Sequence, residues 1–418
     1  MKRIINVFNY FLISNVFTAG FVFFTTPFEC YVGYLFMMLF LAFYVFSFGK
    51  FEINKFFILL LVLASIFSLF NVFAKNYSFF PFLKQFLGFL FNGVVYFLLL
   101  KVNKYDVDKL FRVYMNLAVI VAIIGIFQEF SFLIGFEQGY DYSLFSSKFS
   151  SGSTALGMLR VTSILPEPSH FGGAMAPAIF VSVLNMFKRE SSFISKKSSF
   201  LIILSVLLSF SLVSYLGIVG ALILVICNLK RFKLIVMSMV LLCVFIGIFY
   251  IYVPEIHLRI NDTAAVITGN EPLGVGNLST FAFCSNAMVA WKSFLNNPLF
   301  GSGLGSHPFS YDRYIDQIVG SNITPELSLP LCVDDAGSLF FRLASETSLL
   351  GLLLFFYFAI KFYILKSKDN HYWVISNAIA CLFIVNLTRM GNYFYCGFIF
   401  FIWMYYFTNK RISNSVKI

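Results

Sequence analysis

Charge is what this sequence has least of. Only 12% of its 418 residues are charged while 59% are hydrophobic, against about 25% charge in an ordinary soluble domain. That shortage excludes a water-soluble globule. Also missing is a cleavage site: Met1-Lys2-Arg3 leads into an apolar run to Phe24 with no small-x-small sequence, which reads as an uncleaved first span. The glycines of 301–305 fit neither GxGxxG nor GxxxxGK[ST] and lie in no strand-helix context, so a nucleotide loop is excluded. Asp334-Asp335 is no DxD and has no evident partner ligand, so no metal is expected. No internal repeat is visible and no soluble domain is appended.

What the chain has in abundance is apolar stretches of about 20 residues, each long enough as a helix to cross a hydrocarbon core of about 30 Å. Lipid offers peptide groups no hydrogen bonds, so these stretches must be helical. The 58 phenylalanines are scattered without period over them and read as membrane filler rather than stacking platforms. Spans are expected at 5–24, 30–48, 56–74, 82–100, 111–135, 169–187, 234–252, 338–360, 372–388 and 392–408. The stretch Phe200 to Asn228 is too long for one span, and basic clusters flank it on both sides: Lys188, Arg189, Lys196 and Lys197 before, Lys230, Arg231 and Lys233 after. Lys and Arg concentrate in cytoplasmic loops, so it is expected to cross twice, turning near Ser214 to Gly217.

The expected architecture is therefore all-α: a single polytopic membrane domain over 1–418 with about 12 spans and both termini cytoplasmic. This map puts 21 of the 30 basic residues inside. The net charge of +11 is then a topology signal that calls for no nucleic-acid partner.

Two long segments fall outside, about 136–167 and 254–337. Loops of this length are functional or disordered, and the second keeps Trp291, Phe294, Phe300, Phe309 and Tyr314, which favours an ordered cap. Met288, Trp291 and Leu295 recur at helical spacing, suggesting a short interfacial helix that stops at Asn296-Asn297-Pro298. Of seven cysteines only Cys284 and Cys332 fall in this loop; an oxidising exterior would let them pair, and two free thiols are the alternative.

Three polar constellations stand out. In "RVTSILPEPSHFGG", 160–173, Pro166 and Pro168 bracket Glu167 and keep it out of a regular helix, and Ser169 can cap the helix that follows. Arg160 either pairs with Glu167 or faces a phosphorylated ligand with Glu167 and His170 nearby; charge is costly at a membrane boundary and usually marks a site. In "NNPLFGSGLGSHPFS", 296–310, glycines would let the chain turn tightly beside a ligand and bring His307 into a cavity. In "DDAGSLFFRLASETSLLGLLLF", 334–355, Asp335, Arg342 and Glu346 lie near the outer mouth; the four-residue spacing of Arg342 and Glu346 also suits a simple ion pair.

The order of these three pieces resembles the O-antigen polymerase and ligase superfamily. Pro298 to Gly303 matches its proline-leucine-phenylalanine-glycine-x-glycine run and Glu346 to Leu352 its amphipathic helix opening. Ligases of that superfamily carry a His-Asn pair where this chain has Gly337-Ser338, and an arginine where it has Ser285-Asn286, so the resemblance points to a polymerase. It implies an inverting, metal-independent glycosyltransferase of the bacterial inner membrane, without cofactor. Its substrates would be undecaprenyl-diphosphate-linked glycan donor and acceptor, and a chain-length regulator protein an expected partner. Arg160 would hold the diphosphate, assisted by Arg259, Arg313 or Arg342. Glu167 or His307 would take the acceptor proton, with His170 and Asp335 as further substrate contacts. A ligase, or a transporter or flippase, are the alternatives; a transporter is expected to carry mid-membrane charges and repeated half-helices.

Overall fold

The computed structural model describes residues 1–24, 29–49, 53–146, 148, 149, 152–187, 193–229, 237, 240, 247, 250, 251, 254–273, 277–319, 331–366 and 371–415. The chain is a helical membrane protein, its only sheet among the described residues being two short antiparallel ribbons. Six of the described helices are long and apolar enough to cross a membrane: α3 (Lys55–Phe73), α4 (Phe79–Val102), α5 (Val107–Leu133), α6 (Pro168–Phe187), α8 (Leu212–Leu229) and α14 (Tyr372–Arg389). α2 (Val32–Phe48) and α13 (Ser348–Lys361) are apolar but shorter. The span expected at 234–252 lies outside the described residues but for isolated positions.

The first helix, α1 (Lys2–Ser14), ends ten residues short of the expected span. The chain turns back there and forms a ribbon of β1 (Val22–Phe24) with β2 (Cys30–Tyr31) before entering α2. Besides its apolar packing, α1 is held by a buried amide pair. Asn9 Nδ2 donates to Asn103 Oδ1 at 3.0 Å and Asn103 Nδ2 returns the bond at 2.7 Å, fastening α1 to the α4–α5 turn.

α6 is the buried centre, packed on α7 (Lys196–Leu208), α8 and α14. It carries Pro177, which has no N–H and crowds the preceding turn. Beside it the ladder is opened and repaired by one hydroxyl: Tyr114 Oη donates to Ala174 O at 2.8 Å and accepts from Ala178 N at 3.3 Å. In lipid, freed backbone groups persist only where another group satisfies them in this way. α6 also approaches α8 closely, since a Cβ on Gly172 would sit 2.6 Å from Ser214 N. The α7–α8 break comes at 209–211, ahead of the expected Ser214 to Gly217, with Phe210 at φ 44° and Ser209 Oγ bonded to Ser214 Oγ at 2.7 Å. The small residues of 214–217 serve helix contact, not the turn.

The described residues of 254–337 are largely helical: α9 (Pro254–Thr268), α10 (Leu278–Asn296) and α11 (His307–Val319). α10 starts at an Asn277 cap that accepts from Thr280 N at 3.0 Å and stops at Asn296, where the Asn-Asn-Pro sequence predicts. Met288, Trp291 and Leu295 form its exposed apolar stripe.

The expected span 338–360 is two helices, α12 (Leu339–Glu346) and α13, with Thr347 between them and Ser348, the first residue of α13, at φ 46°. A break leaves orphan carbonyls behind it and orphan amides ahead. The glycine-rich segment takes up both sets: Ser302 N donates to Ser345 O (3.0 Å) and Gly303 N to Glu346 O (2.9 Å), while Leu349 N and Leu350 N donate to Pro298 O and Leu299 O (both 3.1 Å). Gly301, at φ +73°, is required here because a Cβ would lie 2.4 Å from the Glu346 carbonyl. The two motifs that carry the family resemblance are thus one clamp. The last helix, α15 (Phe398–Ser415), follows a single 3-10 turn, Tyr395–Gly397.

The helix ends sort into two groups. One group is basic and knit together: Arg411 Nη2 donates to Lys104 O at 3.1 Å, His371 meets Asp108 at 2.6 Å, and Arg112 lies over Phe193. The other surrounds a cavity.

Candidate functional site

The cavity has a volume of about 2550 Å³. Its walls come from the chain after α1, the starts of α2, α4, α6 and α8, parts of α9, α10 and α11, the turn before α12 and the end of α14. Arg160, Glu167, His170, Asp335 and Arg342 all line it, and so do the apolar Leu212, Leu216, Val219 and Leu222 along α8. Five of the eight residues singled out by sequence therefore share one cavity whose lining is part polar and part hydrocarbon.

Arg160 is placed by a ribbon and two side chains. β3 (Thr154–Ala155) pairs with β4 (Met158–Leu159), and Arg160 N continues the ribbon by donating to Ser153 O at 2.9 Å. From the end of α5, Glu129 Oε2 accepts from Leu159 N at 3.0 Å. Gln128 Oε1 accepts from Thr162 N at 3.1 Å and from Ser163 N at 2.9 Å. Arg160 Nη2 reaches the Phe210 carbonyl at 3.4 Å across the α7–α8 break.

At the mouth of α6 the cap differs from expectation. Glu167 O accepts from Phe171 N at 3.0 Å and Pro168 is the first helical residue, the position where proline costs the helix no hydrogen bond. Ser169 Oγ instead donates to Glu167 Oε2 at 3.0 Å, which orients the exposed Glu167 carboxylate. The His170 ring stands edge-on to Tyr395 at 5.1 Å.

Asp335 sits in the turn before α12, its Oδ1 accepting from Gly337 N at 2.9 Å. Burial raises its carboxyl above the ordinary value, opposed by the Gly337 amide and by the charges of Arg342 and His170. Arg342 does form the ion pair that its spacing from Glu346 allows, Nε to Oε1 at 3.0 Å. The pair is buried and closed: Arg342 Nη1 donates to Gly391 O at 3.2 Å, its guanidinium lies 4.1 Å over the Tyr393 ring, and Tyr393 Oη donates to Glu346 Oε2 at 3.0 Å.

The other three residues are elsewhere. His307, fully buried, does not line the cavity. Its Nε2 lies 2.9 Å from Asn286 Oδ1 and its Nδ1 2.8 Å from Ser345 Oγ, tying α10 to α12. Asn286 Nδ2 is itself a donor, to Ala282 O at 2.6 Å, so the Asn286 oxygen accepts from Nε2–H and Nδ1 is the acceptor. Burial, reinforced by Arg342, lowers the His307 pKa to about 3. Arg313 is exposed, donates to Asn76 O at 3.3 Å and borders a separate, smaller cavity. Arg259 belongs to α9, but its side chain lies outside the described residues.

Three cationic residues of the cavity escaped the sequence reading. Arg389 ends α14 with its guanidinium 5.0 Å over the Phe283 ring and has no ion pair among the described residues. Lys84 opens outward from the first turns of α4, and Lys148 is paired with Glu29. Arg389 had a legible signal, since it lies between two spans on the side away from the basic loops, where arginine is disfavoured. Cys284 and Cys332 also border the cavity and are free thiols.

Neither a protein-family model nor a curated protein sequence matches the chain.

Proposed function

We propose that the protein is a glycosyltransferase that polymerises undecaprenyl-diphosphate-linked repeat units into a surface polysaccharide, O-antigen or capsule, at the outer face of the bacterial inner membrane. One observation carries this reading: one cavity is lined both by Arg160 and Arg389 and by the apolar Leu212, Leu216, Val219 and Leu222 along α8, the combination of surfaces that a polyprenyl diphosphate needs.

In this reading Arg160 and Arg389 bind the diphosphate, whose charge grows as the glycosidic bond breaks. Arginine offers a planar fork of donors, each charge-assisted bond being worth about 1.5–3 kcal/mol. Arg342 adds positive potential but is held by Glu346. Glu167 is the base, an exposed carboxylate on the cavity wall. It accepts the proton of the acceptor hydroxyl as that oxygen bonds to the anomeric carbon, and the bond to phosphate breaks on the opposite face, releasing polyprenyl diphosphate. His307 is assigned a positioning role, because both its nitrogens are engaged behind the cavity wall. The accompanying topology has twelve spans, cytoplasmic termini and an outward-facing cavity.

The test is a gel of surface glycan from a deletion strain complemented with wild type or Arg160→Ala. The variant is expected to insert normally and leave lipid core bearing one repeat. Wild-type chain lengths from it would overturn the reading, and undecorated core beside free polymer in the deletion strain would indicate a ligase.

A further inference from the structure

The smaller cavity has a volume of about 350 Å³, a size at which small molecules are bound, and the proposed transfer leaves it unused. Its walls are the α3–α4 turn, the end of α10 and the first turns of α11. α11 serves both cavities: Pro308 and Asp312 line the large one, Ser310, Arg313 and Tyr314 the small one, and Phe309 both. No carboxylate, thiol or imidazole lines the small cavity among the described residues. Without a general base it is equipped to bind a ligand and not to transform it.

Three amide side chains define its chemistry, Asn76 on one wall and Asn296 and Asn297 on the other. Each is oriented by its own nitrogen. Asn76 Nδ2 donates to Asn71 Oδ1 at 2.9 Å, Asn296 Nδ2 to Tyr314 Oη at 2.6 Å and Asn297 Nδ2 to Ser302 Oγ at 3.4 Å. Their carbonyl oxygens remain acceptors without a partner among the described residues, on side chains that are exposed or, for Asn297, half-buried. Arg313 and the Tyr314 hydroxyl add donors.

The ligand class follows by elimination. A hydrocarbon tail would leave this polar wall unpaired. A phosphate would meet three carbonyl oxygens and one arginine, and the start of α11 gives it little help: Pro308 has no N–H, and Phe309 N and Ser310 N already donate to Ser306 O at 3.0 and 3.1 Å. Sugar hydroxyls both donate and accept, which matches amide oxygens beside an arginine. Phe309, its ring 5.9 Å from that of Tyr77, offers an apolar surface for the C–H face of a pyranose.

We propose that the small cavity is a carbohydrate-binding site for an uncharged sugar, separate from the diphosphate site and independent of it. The test is saturation-transfer NMR on the purified full-length protein in a sugar-free detergent, with the methyl β-glycosides of glucose, galactose and N-acetylglucosamine as probes. Wild type is expected to bind at least one of them. Asn296→Leu should weaken that binding about tenfold and Tyr314→Phe about threefold, with undecaprenyl diphosphate affinity unchanged in both. The second variant removes a single hydroxyl and serves should the first fail to fold. Three results overturn the site: no transfer to any of the three probes, undiminished binding in either folded variant, or displacement of the bound glycoside by an equal concentration of inorganic phosphate. Failure of wild type to bind undecaprenyl diphosphate overturns the diphosphate reading alone.

Discussion

Two polar regions adjoin one another at the cavity end of the bundle, and they are built on opposite principles. In the first, around α12, the polar groups find one another: Arg342 with Glu346, Tyr393 and Gly391, His307 with Asn286 and Ser345, the glycine segment with the broken helix. In the second, around the mouth of α6, Glu167 and Arg389 line the cavity and His170 Nδ1 has no hydrogen-bond partner among the described residues. Both regions are rich in residues that a sequence reading flags as catalytic. The closed one has spent its hydrogen-bonding capacity on architecture, and the open one retains it for a ligand.

That contrast is sharpest where a partner is removed. Glu346→Ala leaves the Arg342 charge buried and unpaired, and about 3–5 kcal/mol of stability should be lost, read as a collapse of the melting temperature in detergent. Arg160→Ala in the open region should do the reverse. Its melting temperature should hold while glycan transfer falls about 10- to 150-fold, the loss of one charge-assisted phosphate contact. Equal loss of stability in the two variants would erase the distinction.

The closed region also predicts a pH dependence. His307 is lowered to about 3 in the folded protein from an unfolded value of about 6.5. Its neutral form therefore contributes stability fully above pH 6.5, and that contribution is lost as pH falls, at about 1.4 kcal/mol per unit. About 2 kcal/mol should be gone at pH 5, and His307→Gln should flatten that limb of the melting profile. A smaller effect is expected from Tyr114→Phe, which removes the hydroxyl bridging Ala174 and Ala178. A loss of about 1 kcal/mol, with transfer unchanged, would mark it as purely structural.

The sequence makes some of this legible and hides the rest for physical reasons. The membrane class follows from composition. The stop of α10 at Asn296 and the start of α6 at Pro168 follow from local backbone chemistry that proline imposes. Arg160, Glu167, His170 and Asp335 stand out in sequence because charge near an apolar boundary is expensive, and all four line the cavity. What stayed hidden depends on contacts between distant segments. The break after Glu346 exists because 298–303 is there to receive its backbone, and nothing local to 346–348 announces it. His307 is an ordinary loop histidine in sequence and an interior brace in three dimensions, a difference set by Asn286 and Ser345. Arg389 is legible as a charge at the end of a long apolar run, but its neighbours, Phe283 and the cavity, come only from the fold.

The most direct test is a cryo-electron microscopy structure of the protein with undecaprenyl diphosphate. The account predicts diphosphate density between Arg160 and Arg389, isoprenoid density along Leu212, Leu216, Val219 and Leu222, and an undisturbed Arg342–Glu346 pair. Diphosphate density beside Arg313, or bound after displacing Glu346 from Arg342, would contradict it.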